Sequence, residues 1–231
     1  MPSLSKTMST KIPPQKLNLK WYRFLRGFCK IFCKLFFRIY FDGQENIPGE
    51  GAFVLVSNHQ SVLDPMLCVI CMKRPVYFLA RQTLFHNRFL RWFFSSVNII
   101  PIKRERGEAN LSAVKTAVSR LKQGSIICVF PEATRTLDGK ISPLKPGFGL
   151  LSRRGKTPAV PLMIDGAFEC WPKHKKVFSP GPISVCCGQA FTHDQIEGMN
   201  DKELAALLTH QLRQMQNDCR VKQGREPYTY N

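Results

Sequence analysis

Short, nearly unbroken apolar runs punctuate the chain at residues 52–57, 76–80, 98–102, 125–130, 159–164 and 183–187, each bounded by turn-forming residues. Runs of this length without polar alternation are the pattern of strands buried on both faces. Between them the apolar spacing changes to that of a helix. Over residues 108–123, Leu111, Val114, Val118 and Leu121 make one face and Gly124 supplies the stop. Near the other end Asn200, with Glu203 three residues on, forms a capping-box signature ahead of Leu204, Leu207, Leu208, Leu212 and Met215. Asp64 followed by Pro65 reads as an N-cap and first helical position, which predicts a helix over residues 65–72. Strands alternating with helices predict an α/β fold whose central sheet is mainly parallel and flanked by helices. At 231 residues the chain suits one such domain.

Before the first strand the pattern is different. Residues 1–15, rich in Ser and Pro, have little to pack and predict a flexible tail. From residue 16 to 41, Lys16, Lys20, Arg23, Arg26, Lys30, Lys34 and Arg38 recur at steps of three or four, while Trp21, Phe24, Leu25, Phe28, Ile31, Phe32, Leu35, Phe36 and Ile39 fill the remaining surface. No acid precedes Asp42. A row of seven cations is costly inside hydrocarbon. The segment is therefore predicted to be an amphipathic helix in a membrane interface, its aromatics in the acyl boundary and its cations on anionic headgroups.

Charge widens this reading. A formal net charge of +18 points to polyanions, an anionic membrane surface or phosphorylated small molecules. A basic nucleic-acid-binding module is the rival of another class. The sequence offers no helix-turn-helix, zinc-finger or RNA-motif aromatic pattern, so no nucleic-acid partner is expected. The nine cysteines form no recognisable disulfide framework. Lys30, Lys34 and Arg38 interrupt the first apolar stretch where a secretory core should be uncharged. The expectation is a reducing compartment, and a membrane-associated protein on the cytoplasmic face. Cys68 and Cys71 have C-x-x-C spacing, but no second pair follows at zinc-ribbon distance. They are read as core thiols, with no metal site expected.

Three constellations follow strand candidates, at the strand ends where α/β sheets bind ligands. The first is "SNHQSVLDP", residues 57–65. In a loop or helix-start geometry Asp64 can fix the tautomer of His59 and leave the other ring nitrogen to take a proton from a hydroxyl. The alternative is a surface histidine beside a capping aspartate. The second is "FPEATRT", residues 130–136, where Glu132 and Arg135 either pair or share a ligand and Thr134 can help hold an oxyanion. The third is "IIPIKRERGE", residues 99–108, whose Lys103, Arg104 and Arg106 suit phosphate recognition or form a solvated basic loop.

Asn58, His59, Ser61, Asp64 and Pro65 together resemble the N-H-x-S-x-x-D-P signature of the glycerolipid acyltransferases, specifically the 1-acylglycerol-3-phosphate (lysophosphatidic acid) acyltransferase type. Phe130 to Arg135 is similar to that family's F-P-E-G-T-R block, the stretch ending in Arg104 to the block between, and "TPAVPLMIDGA" from Thr157 to its last block. Lys145, in "LKPG", resembles a basic residue found before a glycine in the same family. The likeness spans about residues 42–187.

The resemblance implies a glycerol-3-phosphate acyltransferase-like fold and an acyltransferase domain over residues 42–231. It also implies transfer of a fatty acyl group from acyl-CoA or acyl carrier protein, a co-substrate and not a bound cofactor, to the hydroxyl of a lysophospholipid. By that likeness His59 is the general base and Asp64 its orienting partner. Arg104, Glu132, Thr134, Arg135 and Lys145 hold the acceptor, with Arg106 a rival to Arg104. No G-x-S-x-G elbow is present, consistent with direct attack on the thioester. Two residues depart from the pattern: Ala133 and Asn98 stand where glycine is usual, and an alanine at positive φ would be strained.

Overall fold

The computed structural model describes residues 18–81, 98–102 and 108–230. Among them the chain runs α1 (Leu19–Phe36), β1 (Phe37–Asp42), β2 (Phe53–Ser57), α2 (Asp64–Cys71), β3 (Val76–Arg81), β4 (Ile99–Ile102), α3 (Glu108–Lys122) and β5 (Ile126–Val129). It continues through α4 (Gly149–Gly155), β6 (Ala159–Asp165), α5 (Ala167–Cys170), β7 (Gly181–Cys187), α6 (His193–Glu197) and α7 (Asp201–Lys222). The strands form one sheet in the order β1-β7-β6-β2-β5-β3-β4. Every neighbouring pair is parallel except β6 with β7. The fold is thus α/β with a mostly parallel sheet.

The central strands show why the sequence runs were unbroken. Phe53 and Leu55 of β2 enter one apolar cluster, with Leu63, Leu67, Leu162 and Ile164. Val54 and Val56 enter the other, with Ala117, Leu121, Leu151, Leu204 and Leu208. Side chains alternate across a strand, so helices on both faces demand apolar residues at every position. Each fully buried Leu or Phe contributes about 2 kcal/mol from area alone. Cys68 and Cys71 lie in the first of these clusters as free, buried thiols, with Cys68 Sγ 3.9 Å from Cys128 Sγ.

The predicted strands are present with ends shifted by a residue or two, and the helix capped by Asn200 has its full box: Asn200 Oδ1 accepts from Lys202 N and Glu203 N, and Asn200 N donates to Glu203 Oε2. Its buried face is Leu204, Leu208 and Leu212, whereas Leu207 is exposed. On α3 the buried row is Ala113, Ala117 and Leu121, and Leu111 faces solvent. Small residues let this helix approach the sheet, so its inner face is rotated from the one the large side chains suggested.

The first helix differs from expectation in length and in the facing of its cations. It begins after Asn18, whose Oδ1 accepts from Trp21 N, and ends at Phe36, short of residue 41. Phe37–Asp42 alternates inward and outward from Phe37 to Tyr40, is exposed beyond, and pairs in parallel with β7, Ile39 opposite Ile183. Arg38 and Ile39 therefore belong to a strand. Arg26 turns inward, giving Nε to Val69 O and Nη2 to Ile70 O, the orphan carbonyls near the end of α2. Tyr22 and Cys33 are buried with it. Phe24, Phe28, Ile31 and Leu35 are exposed and fall within an arc of about 60° at 100° per residue. Exposed Lys20, Arg23, Lys30 and Lys34 line one side of that arc. Among the described residues no helix is long and apolar enough to cross a membrane. Lys16 and the tail over residues 1–15 lie outside the described residues.

Candidate active site

β2 and β5 are parallel neighbours, so the loops leaving their carboxyl ends emerge side by side. The first loop carries His59. Asn58, fully buried, bonds both backbone groups of Ile164, Nδ2 to the carbonyl at 2.8 Å and Oδ1 from the amide at 2.7 Å. This fastens the end of β2 to β6 and fixes where the next residue starts.

His59 and Asp64, five apart in sequence, meet: Nδ1 lies 2.7 Å from Asp64 Oδ2. The same oxygen accepts the backbone N–H of Gln60 at 2.6 Å and of Ser61 at 2.7 Å. A carboxylate oxygen already ringed by donors takes a third, so Nδ1 carries the proton and Nε2 presents its lone pair. Nε2 has no hydrogen-bond partner among the described residues. Asp64 is fully buried, and the His59 side chain keeps 21% of its surface. Phe130 stacks on the imidazole, centroids 4.3 Å apart and planes 22° from parallel. Asp64 does not cap α2 as the sequence suggested. Leu63 occupies the cap position and Asp64 is the first helical residue, its carboxylate turned back onto the loop.

The second loop braces the first. Glu132 Oε1 accepts His59 N–H at 2.6 Å, Oε2 accepts Ser142 N–H at 2.8 Å, and Thr136 N–H donates to His59 O at 2.9 Å. Glu132 thus ties three backbone segments together. Burial pushes its carboxyl up to about 7, against the two amides that favour the charged form. Arg135 adjoins Thr136 and is half-buried, with no ion-pair partner among the described residues. Thr134 is exposed, its hydroxyl 3.5 Å from Arg135 O. Lys145 is exposed and anchored by its backbone N–H to Pro131 O at 3.0 Å. Arg104 and Arg106 lie outside the described residues; β4, which precedes them, ends on the same edge three places from β2.

Gln60, Phe130 and Ser142 carry contacts that sequence reading did not single out. Phe130 was read only as the first residue of the F-P-E-G-T-R-like block, with no contact to His59 foreseen, and Ser142 was hidden because a serine in a loop is ordinary. Gln60 had one signal, a polar residue of long reach beside the histidine.

A family model described as Acyltransferase matches residues 38–165, more than half of the chain. The chain belongs to the acyltransferase family. A 1-acyl-sn-glycerol-3-phosphate acyltransferase of Bacillus subtilis (strain 168) is 27% identical over 194 residues, covering 84% of this acyltransferase and 94% of that protein. The chloroplastic 1-acyl-sn-glycerol-3-phosphate acyltransferase BAT2 of Brassica napus is 28% identical over 62% of this chain, which spans only 42% of that relative. The crystal structure of PlsC, the 1-acyl-sn-glycerophosphate (LPA) acyltransferase of Thermotoga maritima, superposes with a TM-score of 0.74 at 24% identity, over 90% of this chain and 81% of that one. That likeness establishes the fold.

Two departures from the acyltransferase pattern have a visible backbone consequence. Ala133 has φ 61° and Asn98 φ 54°, both left-handed. Asparagine tolerates this region, whereas alanine there costs about 1 kcal/mol. This acyltransferase therefore holds its second loop in the conformation a glycine would adopt without strain.

Proposed function

We propose that this acyltransferase moves a fatty acyl group from a thioester, acyl-CoA or acyl carrier protein, to the free hydroxyl of 1-acylglycerol-3-phosphate, making phosphatidic acid in phospholipid biosynthesis. The observation that carries the reading is the His59–Asp64 pair, whose Nε2 is unpartnered among the described residues, braced against a loop whose cations have no ion-pair partner among those residues. His59 Nε2 takes the hydroxyl proton as the alcohol oxygen attacks the thioester carbonyl. Asp64 stabilises the imidazolium. The C–S bond breaks as the tetrahedral intermediate collapses, and the imidazolium returns its proton to the departing sulfur. Arg135, Lys145 and Thr134, with Arg104, hold the acceptor's phosphate and glycerol. Glu132 keeps the second loop against His59.

The acceptor and acyl product are amphiphiles, and the outer arc of α1 supports an interfacial enzyme: apolar side chains lie exposed beside a row of cations with no acid among them. Flotation with phosphatidylglycerol vesicles tests this part, with no binding to duplex DNA at matched salt expected. For the chemistry, purified protein is incubated with acyl-CoA or acyl carrier protein and a panel of 1-acylglycerol-3-phosphate, glycerol-3-phosphate, other lysophospholipids and lyso-amino-acid lipids. Thiol release and product masses are read. Phosphatidic acid as the dominant product is expected; another dominant product moves the acceptor, and no thiol release with any acceptor refutes the activity.

A further inference from the structure

Segment 139–142 touches the catalytic loop at both ends. At one end Gln60 Nε2 donates to Gly139 O at 2.8 Å, while the same residue's backbone N–H sits on Asp64. At the other, Ser142 N–H reaches His59 through Glu132. The far side of the segment is held by the final helix and by residues 223–230, which fold back from it.

Gln216, fully buried on α7, gives Nε2 to Gly139 O at 3.0 Å and to Asp165 Oδ1 at 2.6 Å. Its Oε1 accepts the Tyr230 hydroxyl. That hydroxyl in turn accepts Ile141 N–H at 3.1 Å. Arg213 donates Nε to Ile141 O at 3.0 Å and lies 4.4 Å over the Tyr230 ring. Gly139 has φ +84°, and a Cβ there would collide with the Tyr228 hydroxyl, so a glycine is needed where Tyr228 presses. Two bonds between Asn217 and the Tyr228 backbone seat this part of the segment.

We infer that Gln216 and Tyr230 are positioning residues for the reaction: through Gly139 and Ile141 they clamp segment 139–142, and the clamp fixes Gln60 and Glu132, which set the place of the His59–Asp64 pair. A buried polar network in which the amide and hydroxyl are fully used is stiff and holds one geometry. Its loosening moves the imidazole relative to the thioester without touching Arg135 or Lys145. This rests on the acyl-transfer reading only for the kinetic part of its test.

The test compares wild type, Tyr230→Phe, a chain ending at Arg225, and Gln195→Ala as a control: Gln195 Oε1 accepts Thr192 N–H at 2.8 Å at the start of α6, a helix-capping bond outside the clamp. Tyr230→Phe keeps the ring over Arg213 and loses only the hydroxyl. Its kcat should fall about tenfold, and that of the shortened chain about 10²-fold, the scale of a displacement near 1 Å. KM for donor and acceptor should stay within about twofold, since binding groups are untouched. Gln195→Ala should lose thermal stability without losing kcat. Independently of turnover, the backbone amides of His59, Gln60, Ser61 and Ser142 should exchange hydrogen at least about tenfold faster in Tyr230→Phe. Unchanged exchange at those amides overturns the inference whatever the enzyme acts on. So does an unchanged kcat in Tyr230→Phe, a change confined to KM, or an equal loss of kcat in Gln195→Ala. A wild type without turnover but with the exchange effect refutes the activity and leaves the clamp standing.

Discussion

The loop after β2 and the loop after β5 lie side by side, yet they are built to opposite specifications. Around His59 the backbone amides of three successive residues, the ring nitrogen Nδ1 and the aromatic face all have fixed partners. Around Arg135 and Lys145 the backbone is held, and neither charged end has an ion-pair partner among the described residues. On the proposed mechanism the difference separates two physical tasks. A base must sit within a few tenths of an ångström of its proton, so it is over-determined. Groups that receive an anionic head are best left without a partner, because a competing ion pair would have to be broken first.

Breaking the rigid side should cost most. His59→Ala is expected to lower turnover about 10³- to 10⁴-fold with an unchanged circular-dichroism spectrum, measured as thiol release. Undiminished turnover would remove His59 from the mechanism. Asp64→Asn should lose about 10³-fold, because an amide offers the imidazolium no counter-charge. A loss under fivefold would make the aspartate a loop brace only.

The brace itself titrates. With its carboxyl raised to about 7 from the usual 4.5, Glu132 contributes stability that is fully present below about pH 4.5 and lost as pH rises through about 7. The loss is on the order of 3 kcal/mol at 1.36 kcal/mol per pH unit. Denaturant titrations of Glu132→Gln should therefore show a flatter decline than wild type between pH 4.5 and 7; parallel curves would mean the burial penalty is already relieved.

The open side should respond in binding. Arg135→Ala is expected to raise KM for the acceptor about tenfold and leave kcat within about threefold, the signature of lost uniform binding. A fall in kcat alone would place the guanidinium in the transition state. The smallest effect belongs to Ala133→Gly. Relief of the left-handed strain, partly offset by a more flexible unfolded chain, should raise the melting midpoint by a degree or two, for up to about 1 kcal/mol. A lowered midpoint would show that the methyl group contributes more packing than its backbone costs.

Much of this arrangement was legible in the sequence, and particular residues show where legibility ended. The β2 run was unmistakable because burial on both faces leaves no polar position from Phe53 to Val56. His59 and Asp64 were legible because a short spacing plus a helix start constrains their approach. β1 was read as helix because Arg38 happens to continue a three-four spacing of cations, while the strand's own alternation lasts only from Phe37 to Tyr40. Arg26 looked like one more surface cation, since nothing local announces that α2 ends beneath it. Gln216 and Tyr230 were invisible for the same reason: apart from each other, the partners they hold are 51 to 89 residues away in sequence.

α1 passes into β1 with no residue between them. If the outer arc of that helix rests in a bilayer, as proposed, the enzyme has no swivel: the tilt of one cylinder dictates the tilt of the whole sheet, and with it the height at which the base meets the lipid surface. Inserting a short flexible spacer between Phe36 and Phe37 would uncouple attachment from orientation, leaving a protein that still adheres but delivers its reactive groups at random angles.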